Sequence, residues 1–286
     1  MPNSTRLTLE IMIATYGPDG GRKAAKMLLP PTEGIKYLVS WQSPKPKAMS
    51  PDDVEIPDEL AAREDVKVVT LSGKGVARNR NNCLKHATGD LLLVGDDDIV
   101  LYPDGLQQAI AVFEANPELE YGSFRYDSDF PKQYPSAEMP LKKLPKNFYQ
   151  TNFEIVLRRD SRAGRLRFPE NFGLNAPEFG AGEEDLLLLR ARRHGLDCRF
   201  FPITTCCHPG RTTGVESSIP DDVLRAFGAC MAAEYPVSCV LRIPLKSWRL
   251  RRGGQAKFFH SLRLMGYGAC RALFCDVVRP YLNAPV

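Results

Sequence analysis

The patterning of this chain predicts an α/β fold, with a mostly parallel sheet, helices on both faces and a basic helical tail. Three observations carry that prediction. Short apolar runs, "LTLEIMIAT" (7–15), "GIKYLVSW" (34–41), "VKVVTL" (66–71) and "DLLLVG" (90–95), have the length and β-branched content of buried strands. Segments with helical spacing alternate with them, which is the arrangement that builds parallel strands. From Arg242 onward, nine Lys or Arg stand against the single acid Asp276, although the whole chain is only +4.

Taken in order, 7–15 is the first strand, 34–41 the second and 66–71 the third. "GKGVARNRNNCLKHATG" (73–89) is a glycine turn opening a helix, with Gly89 as its stop. Residues 90–95 are the fourth strand, and "YPDGLQQAIAVFEANP" (102–117) is a helix with Leu106, Ile110, Val112 and Phe113 on its apolar side. "DFPKQYPSAEMPLKKLPKN" (129–147), rich in Pro and Lys, is expected to be a surface loop able to close over a ligand. "DLLLLRARRHG" (185–195) is a short helix, "CRFFPITTCCHPGRTTG" (198–214) a strand leading into a loop, and 215–243 a closing helix with its connections. The domain expected is 1–243, with 244–286 as a basic amphipathic extension.

Composition narrows the function classes. Apolar content of 43% and charged content of 25% are those of an ordinary globular chain. No run approaches the roughly 18 apolar residues of a membrane span. The start, "MPNSTRLTLEIMIATYG", lacks a basic stretch leading into a long apolar one, so a cytoplasmic location is expected. Eight scattered cysteines without a CxxC pair predict reduced thiols and no zinc knuckle. In the tail, "KFFHSLRLMGYGACRALF" spaces Phe258, Leu262, Met265, Ala269 and Leu273 at helical intervals, with Lys257, Arg263 and Arg271 on other faces. That pattern fits a helix packed on the domain. It also fits one lying on an anionic membrane, so the location extends to the inner face of the cytoplasmic membrane. The basic residues lie among apolar ones and form no recognised module, which predicts no nucleic-acid partner.

Four clusters carry chemistry. Asp96, Asp97 and Asp98 follow the strand 90–95 directly. Ligands of open parallel sheets sit beyond the carboxyl ends of strands. Strand alternation would send Asp96 and Asp98 the same way, making a hard-cation site for Mn²⁺ or Mg²⁺. Glu183, Glu184 and Asp185 open an apolar helix, and one of them is a candidate general base. His208 precedes the loop holding Arg211, Thr212 and Thr213, a candidate metal ligand beside groups suited to phosphate oxygens. Lys74, Arg78 and Arg80, with neighbouring glycines, stand at a helix N-terminus suited to an anion.

Taken in chain order, the clusters resemble the inverting family-two glycosyltransferases of the GT-A fold, over about residues 7 to 214. "IMIATYG" is similar to the family's first strand, which implies that Thr15 and Tyr16 lie against a nucleotide. "GKGVARNRNNCLKHATGDLLLVGDDDIVL" resembles its "GxxxARNxGxxxAxGxxIxxxDxDD" pattern, with Asp96 and Asp98 as the DxD pair, Asp97 between them and Asp98 the direct metal ligand. "GEEDLLLLRARRHG" resembles the Glu-Asp motif, with Asp185 as base beside Glu184, and "HPGRTTG" resembles a late His-containing loop. The family usually carries Pro where Ala14 stands, and an Asp that reads the base at the end of the second strand. Here that place holds Ser40, Trp41 and Gln42, so Gln42 is left to bond a base edge and Trp41 to stack on one.

The resemblance implies a metal-dependent transfer of a hexosyl group, with UDP as the expected nucleotide. The donor would be a nucleotide diphosphate sugar held by Thr15, Tyr16, Gln42, Lys74, Arg78, Asp96, Asp97 and Arg211. The acceptor would be a hydroxyl of a glycan or a lipid-linked saccharide. The alternatives are a metal-dependent phosphohydrolase or nucleotidyltransferase, which would also place acids after an apolar strand, and a non-catalytic sugar-binding domain of the same fold.

Overall fold

The computed structural model describes residues 6–43, 56–145, 148–210 and 218–286. Its centre is a sheet in the order β3-β2-β1-β4-β8-β6-β9-β5, with β7 paired to β9. The strands are β1 (Leu9–Tyr16), β2 (Ile35–Ser43), β3 (Val66–Ser72), β4 (Leu91–Asp96), β5 (Val100–Leu101), β6 (Tyr121–Asp127), β7 (Met139–Pro140), β8 (Ile155–Arg158) and β9 (Cys198–Cys207). β3, β2, β1 and β4 are parallel, as are β6 and β9, while no antiparallel pairing exceeds three residue pairs.

Period-2 alternation builds two cores from one sheet. Leu9, Ile11, Ile13, Leu91 and Leu93 face one side, where α1 (Gly20–Met27) and α4 (Pro103–Ala115) contribute Met27, Leu106 and Phe113. Met12, Leu92 and Val94 face the other, against α3 (Val76–His86) and α5 (Glu183–Arg193). The four consecutive leucines of α5 have a simple cause. Leu187 and Leu188 pack on the sheet, while Leu186 and Leu189 face a third core formed with α6 (Asp221–Glu234), α7 (Cys239–Arg252), α8 (Phe258–Phe274) and α9 (Arg279–Asn283). A helix enclosed on both sides is apolar nearly all round.

Several expectations change in contact with the fold. Gly89 does not stop α3, which ends at His86. Its backbone instead crosses buried Glu10, where a Cβ would lie 2.6 Å from the Glu10 Cβ. The Glu10 carboxylate accepts the N–H groups of Thr88 and Gly89 there. The described part of 129–147 is largely exposed, as a surface loop, but a few of its side chains turn inward against the sheet. Lys132 is buried, donates to Glu154 at 2.7 Å and sits over the rings of Tyr134, Phe148 and Tyr149. Tyr134 stacks on Phe200 and β7 pairs with β9. A lysine enclosed by rings has the composition of a surface loop and the environment of a core.

The tail region packs closely. α7 runs across position 243, and α6 and α8 meet glycine to glycine. A Cβ on Gly228 would strike the Met265 carbonyl oxygen, and one on Gly268 the Arg225 carbonyl oxygen. Met265 and Ala269, two members of the apolar stripe expected in 258–273, are buried in that core. No helix among the described residues is long and apolar enough to cross a membrane.

Candidate active site

β4 emerges from the core at Asp96, and the next two acids lie in the turn beyond it. Strand alternation therefore stops governing them, and each of the three finds a different partner. Asp96 accepts from the buried Arg80 guanidinium at 2.7 Å. Asp97 accepts from the Thr15 hydroxyl at 2.5 Å, with the Lys23 ammonium 3.9 Å away, and burial raises its carboxyl above the usual range. Asp98, the most open of the three, lies 3.4 Å from Nε2 of His208. Its carboxyl is held below the usual range by that hydrogen bond, and the His208 ring is raised by the same contact.

His208 is held from three sides. Its backbone N–H donates to Asp127, Nδ1 lies 2.9 Å from the Gly210 carbonyl, and the ring stacks on Phe153. That leaves Nε2 aimed at Asp98. Among the described residues no three His, Cys, Asp or Glu side chains converge as a metal cage. A carboxylate oxygen beside an imidazole nitrogen nevertheless suits Mn²⁺ or Mg²⁺ whose remaining ligands come from a diphosphate and water. The pair therefore fits the ion as two ligands of a shared site.

Arg80 is the joint of the site. It donates to Asp96 and, at 2.5 Å, to Glu183, with its guanidinium near the Phe168 ring. Burial works to lower its pKa, but Asp96 and Glu183 outweigh it and the guanidinium is held more firmly charged than usual. Arg80 is thus committed to protein carboxylates and does not belong with Lys74 and Arg78 as an anion ligand. Those two are exposed and line a groove of about 530 Å³ with Gly73, Glu170, Asn171 and Asn175, where Arg78 comes 3.9 Å from Glu170. The hinge role of Arg80, which sequence reasoning missed, joins residues 16 and 103 positions away, a separation that no local motif encodes.

The three acids opening α5 also separate. Glu183 is taken by Arg80. Glu184 is raised well above the usual carboxylate range by burial and then by its neighbours Glu183 and Asp185, and its Oε2 is buried without a partner. Asp185 reaches solvent on one side, with Lys132, Gln150, Glu183 and Glu234 around it on the other. Desolvation raises it to about 6, against the pull of Lys132 and the Gln150 backbone N–H.

At the nucleotide end, Tyr16 is exposed at the tip of β1, and Asn79 fixes α3 to β1 by donating to the Thr15 carbonyl at 2.9 Å. Trp41 is buried under Gly20 and Gly21 and donates Nε1–H to the Gly17 carbonyl at 2.7 Å, so its ring does not stack on a base. Gln42 is buried with Nε2 unpartnered. Arg211, Thr212 and Thr213 lie outside the described residues. Gln42 Nε2, Asn79 Oδ1, Arg80 Nε and Glu184 Oε2 are all buried without a partner, on the elements that form this edge of the sheet. Buried polar groups rarely stay unpaired, so these four are free to take a polar ligand or water at this edge.

Comparison with known proteins agrees with this geometry. Residues 50–172 match the model of Glycosyl transferase family 2. No curated protein sequence matches the chain. Among solved structures, S. aureus TarS 1–349 in complex with UDP-GlcNAc is similar at 15% identity, with a TM-score of 0.55, over 96% of this chain and 83% of that one. The same fragment in complex with UDP matches at 16% identity and a TM-score of 0.52, over 86% and 71% of the two chains. The mannosyltransferase PcManGT from Pyrobaculum calidifontis, in complex with GDP-Man and Mn²⁺, matches at 12% identity and a TM-score of 0.52, over 96% and 89%. At such identities the structural likeness speaks to the fold, and the family model speaks to descent. Together, the family-model match over residues 50–172 and the structural likeness over most of the chain support a family-two glycosyltransferase with the GT-A fold.

Proposed function

We propose that the protein moves a hexose from a nucleotide diphosphate sugar, with UDP as the nucleotide, to a hydroxyl of a glycan or lipid-linked saccharide, inverting the anomeric carbon. The observation that carries this is the Asp96–Arg80–Glu183 bridge, which ties the acids at the end of β4 to the acids opening α5. Solved structures of the same fold are named with UDP, UDP-GlcNAc and GDP-Man with Mn²⁺, which supports a nucleotide sugar as donor and a divalent cation as cofactor.

Asp98 and His208 would hold Mn²⁺ or Mg²⁺, which when bound supplies Lewis-acid stabilisation of the departing diphosphate. Thr15, Tyr16 and Gln42 face the nucleoside, Tyr16 taking the stacking role left by Trp41. Asp97, fixed by Thr15, shapes the turn that presents Asp98. Lys74, Arg78 and Arg211 supply positive charge toward the donor. Asp185 takes the proton from the acceptor hydroxyl as its oxygen attacks the anomeric carbon from the face opposite the leaving group. Burial and its acidic neighbours disfavour the charged form of Glu184, which leaves Asp185 as the better base and Glu184 beside it as a supporting group. Asp185, at about 6, is ionised at neutral pH while remaining basic enough to accept. The basic C-terminal region, residues 244–286, supports action at the cytoplasmic face of an anionic membrane, where a lipid-linked acceptor would be found.

The test is release of nucleoside diphosphate from a panel of UDP-, GDP-, CDP- and dTDP-linked sugars, with and without Mn²⁺. Metal-dependent release from one nucleotide class, abolished by Asp185→Asn, is expected. Release from none of them would overturn the proposal and favour the phosphohydrolase or binding-domain alternatives.

A further inference from the structure

α7 has two apolar faces, and among the described residues only one of them is covered. Cys239, Ile243, Ser247 and Leu250 turn into the C-terminal core, where the Ser247 hydroxyl lies 3.8 Å from the Met265 sulfur. On the outer side stand Val240, Leu241, Leu245 and Trp248, exposed by 68%, 75%, 47% and 45%, with Val237 in the preceding turn. At about 100° per residue these four side chains cover an arc of roughly 140°. A helix packed on a domain through one stripe normally turns polar side chains to water on the other.

The open flank of that arc is basic, the other being the buried face. Arg242, Lys246 and Arg249 follow it on one side, and Arg251 and Arg252 close the helix, while α7 contains no acid. The cations lie close to aromatic rings. Arg242 sits 3.8 Å from the Tyr235 centroid, Lys246 5.0 Å from that of Phe227, and Arg252 4.8 Å from that of Trp248. An apolar face bordered by cations, with a tryptophan at its edge, matches the chemistry of the boundary between lipid headgroups and acyl chains.

We infer that the outer face of α7 seats this protein on a bilayer containing anionic phospholipid, with Val240, Leu241, Leu245 and Trp248 in the acyl boundary and the arginines among the headgroups. This deepens the membrane contact proposed for the C-terminal region and assigns it to α7, whereas Met265 and Ala269 of α8 are spent on packing and its exposed Phe259 and Phe274 stand apart at its two ends. Size argues for lipid over a second copy of the chain. A 14-residue helix is about 21 Å long, so a face about 10 Å wide offers only a few hundred Å², below the ~800 Å² per partner of a stable protein interface. A lipid boundary needs no matching partner surface, and immersion of about 5–10 Å suffices.

The chain carries its own probe. Of its two tryptophans, Trp41 is buried and hydrogen-bonded, so changes in emission on adding vesicles report Trp248. The experiment adds phosphatidylcholine vesicles, with and without phosphatidylglycerol, to the full-length protein. It reads co-sedimentation, the Trp emission maximum and quenching by iodide, and needs no turnover. Expected are binding that requires phosphatidylglycerol, a blue shift and protection from iodide. Leu241→Gln and Leu245→Gln should each weaken the partition by about tenfold or more, since each removes one buried leucine from the contact. Both positions are solvent-facing, and an unchanged thermal melt confirms that the variants are folded.

Three results overturn the inference. Vesicle binding untouched by the α7 variants refutes the assignment to α7 while leaving the membrane contact of the region standing. Absence of binding to either vesicle refutes both. A vesicle-independent dimer that protects Trp248, detected by light scattering and iodide, shows that a second copy covers the face. Failure of the transferase assay leaves vesicle binding unaffected, so the two readings fail separately.

Discussion

Arg80 can be tested without knowing any substrate. Substituting Ala removes a buried guanidinium that donates to Asp96 at 2.7 Å and to Glu183 at 2.5 Å. Glu183 is itself buried and followed by Glu184 and Asp185, so the variant leaves several carboxylates at one helix end without their cation. Breaking a buried pair from one side costs about 3–5 kcal/mol, mostly the burden of the charge left behind. In a domain of this size each kcal/mol moves Tm by about 2–4 °C, so the midpoint should fall by about 10 °C at neutral pH. The deficit should shrink on acidification, because protonation removes the uncompensated charge. Arg80→Met/Glu183→Gln should recover part of the loss, since the double variant no longer buries an unpaired carboxylate. Arg80→Lys should remain destabilised, because a single ammonium cannot fork to two carboxylates. The assay is a thermal melt followed by circular dichroism. A loss below about 1 kcal/mol for Arg80→Ala, the range of an exposed pair, would refute the claim that this bridge fastens α5 to β4.

Two further predictions concern the base and the tail. Asp185 works only when ionised, so turnover should rise with pH through about 6 and level off above it. One unit below that value the rate should be down about tenfold. The same raised pKa means that the ionised carboxylate opposes folding, so Asp185→Asn should melt no lower than the wild type. An acid limb in the ordinary aspartate range near 4, or a variant that still turns over, would contradict the assignment. In the C-terminal bundle, Gly228→Ala would drive a methyl into the Met265 carbonyl oxygen and should cost about 1–3 kcal/mol, read from the urea midpoint. A variant as stable as the wild type would show that α6 and α8 are not held at that closeness.

Much of this fold is written in local patterns. Leu91 to Val94 read as a buried strand because both of their faces are covered, and the acids after them read as its exit toward a ligand. The family motifs around Thr15, Asp98 and Asp185 pointed to side chains at the same edge of the sheet. What stayed hidden depends on distant partners. "VARNRNN" does not reveal that Arg80 turns inward while Arg78 turns out, since both are arginines on one helix and only Glu183 and Asp96 decide between them. Lys132 sat in a segment that composition marks as exposed, and the rings that enclose it come from residues 134 to 149. Trp41 was legible as an aromatic near a nucleotide, but two glycines of α1 let it fold under the helix. In the tail, an apolar stripe at helical spacing serves a core or a membrane equally well. Only the position of α6 shows that the Met265 side of α8 belongs to the core, while among the described residues the outer apolar face of α7 stays uncovered.

The central claim is that the acids ending β4 hold a divalent cation that in turn holds a diphosphate. Calorimetric titration of the full-length protein with UDP, GDP, CDP and dTDP, each with and without Mn²⁺, tests it most directly, with Asp98→Ala run in parallel. The account predicts that one nucleoside diphosphate, UDP, binds in the presence of Mn²⁺, and that the binding is lost both without the metal and in the Asp98 variant. Equal affinity with and without Mn²⁺, or metal-dependent binding unchanged in Asp98→Ala, would contradict it.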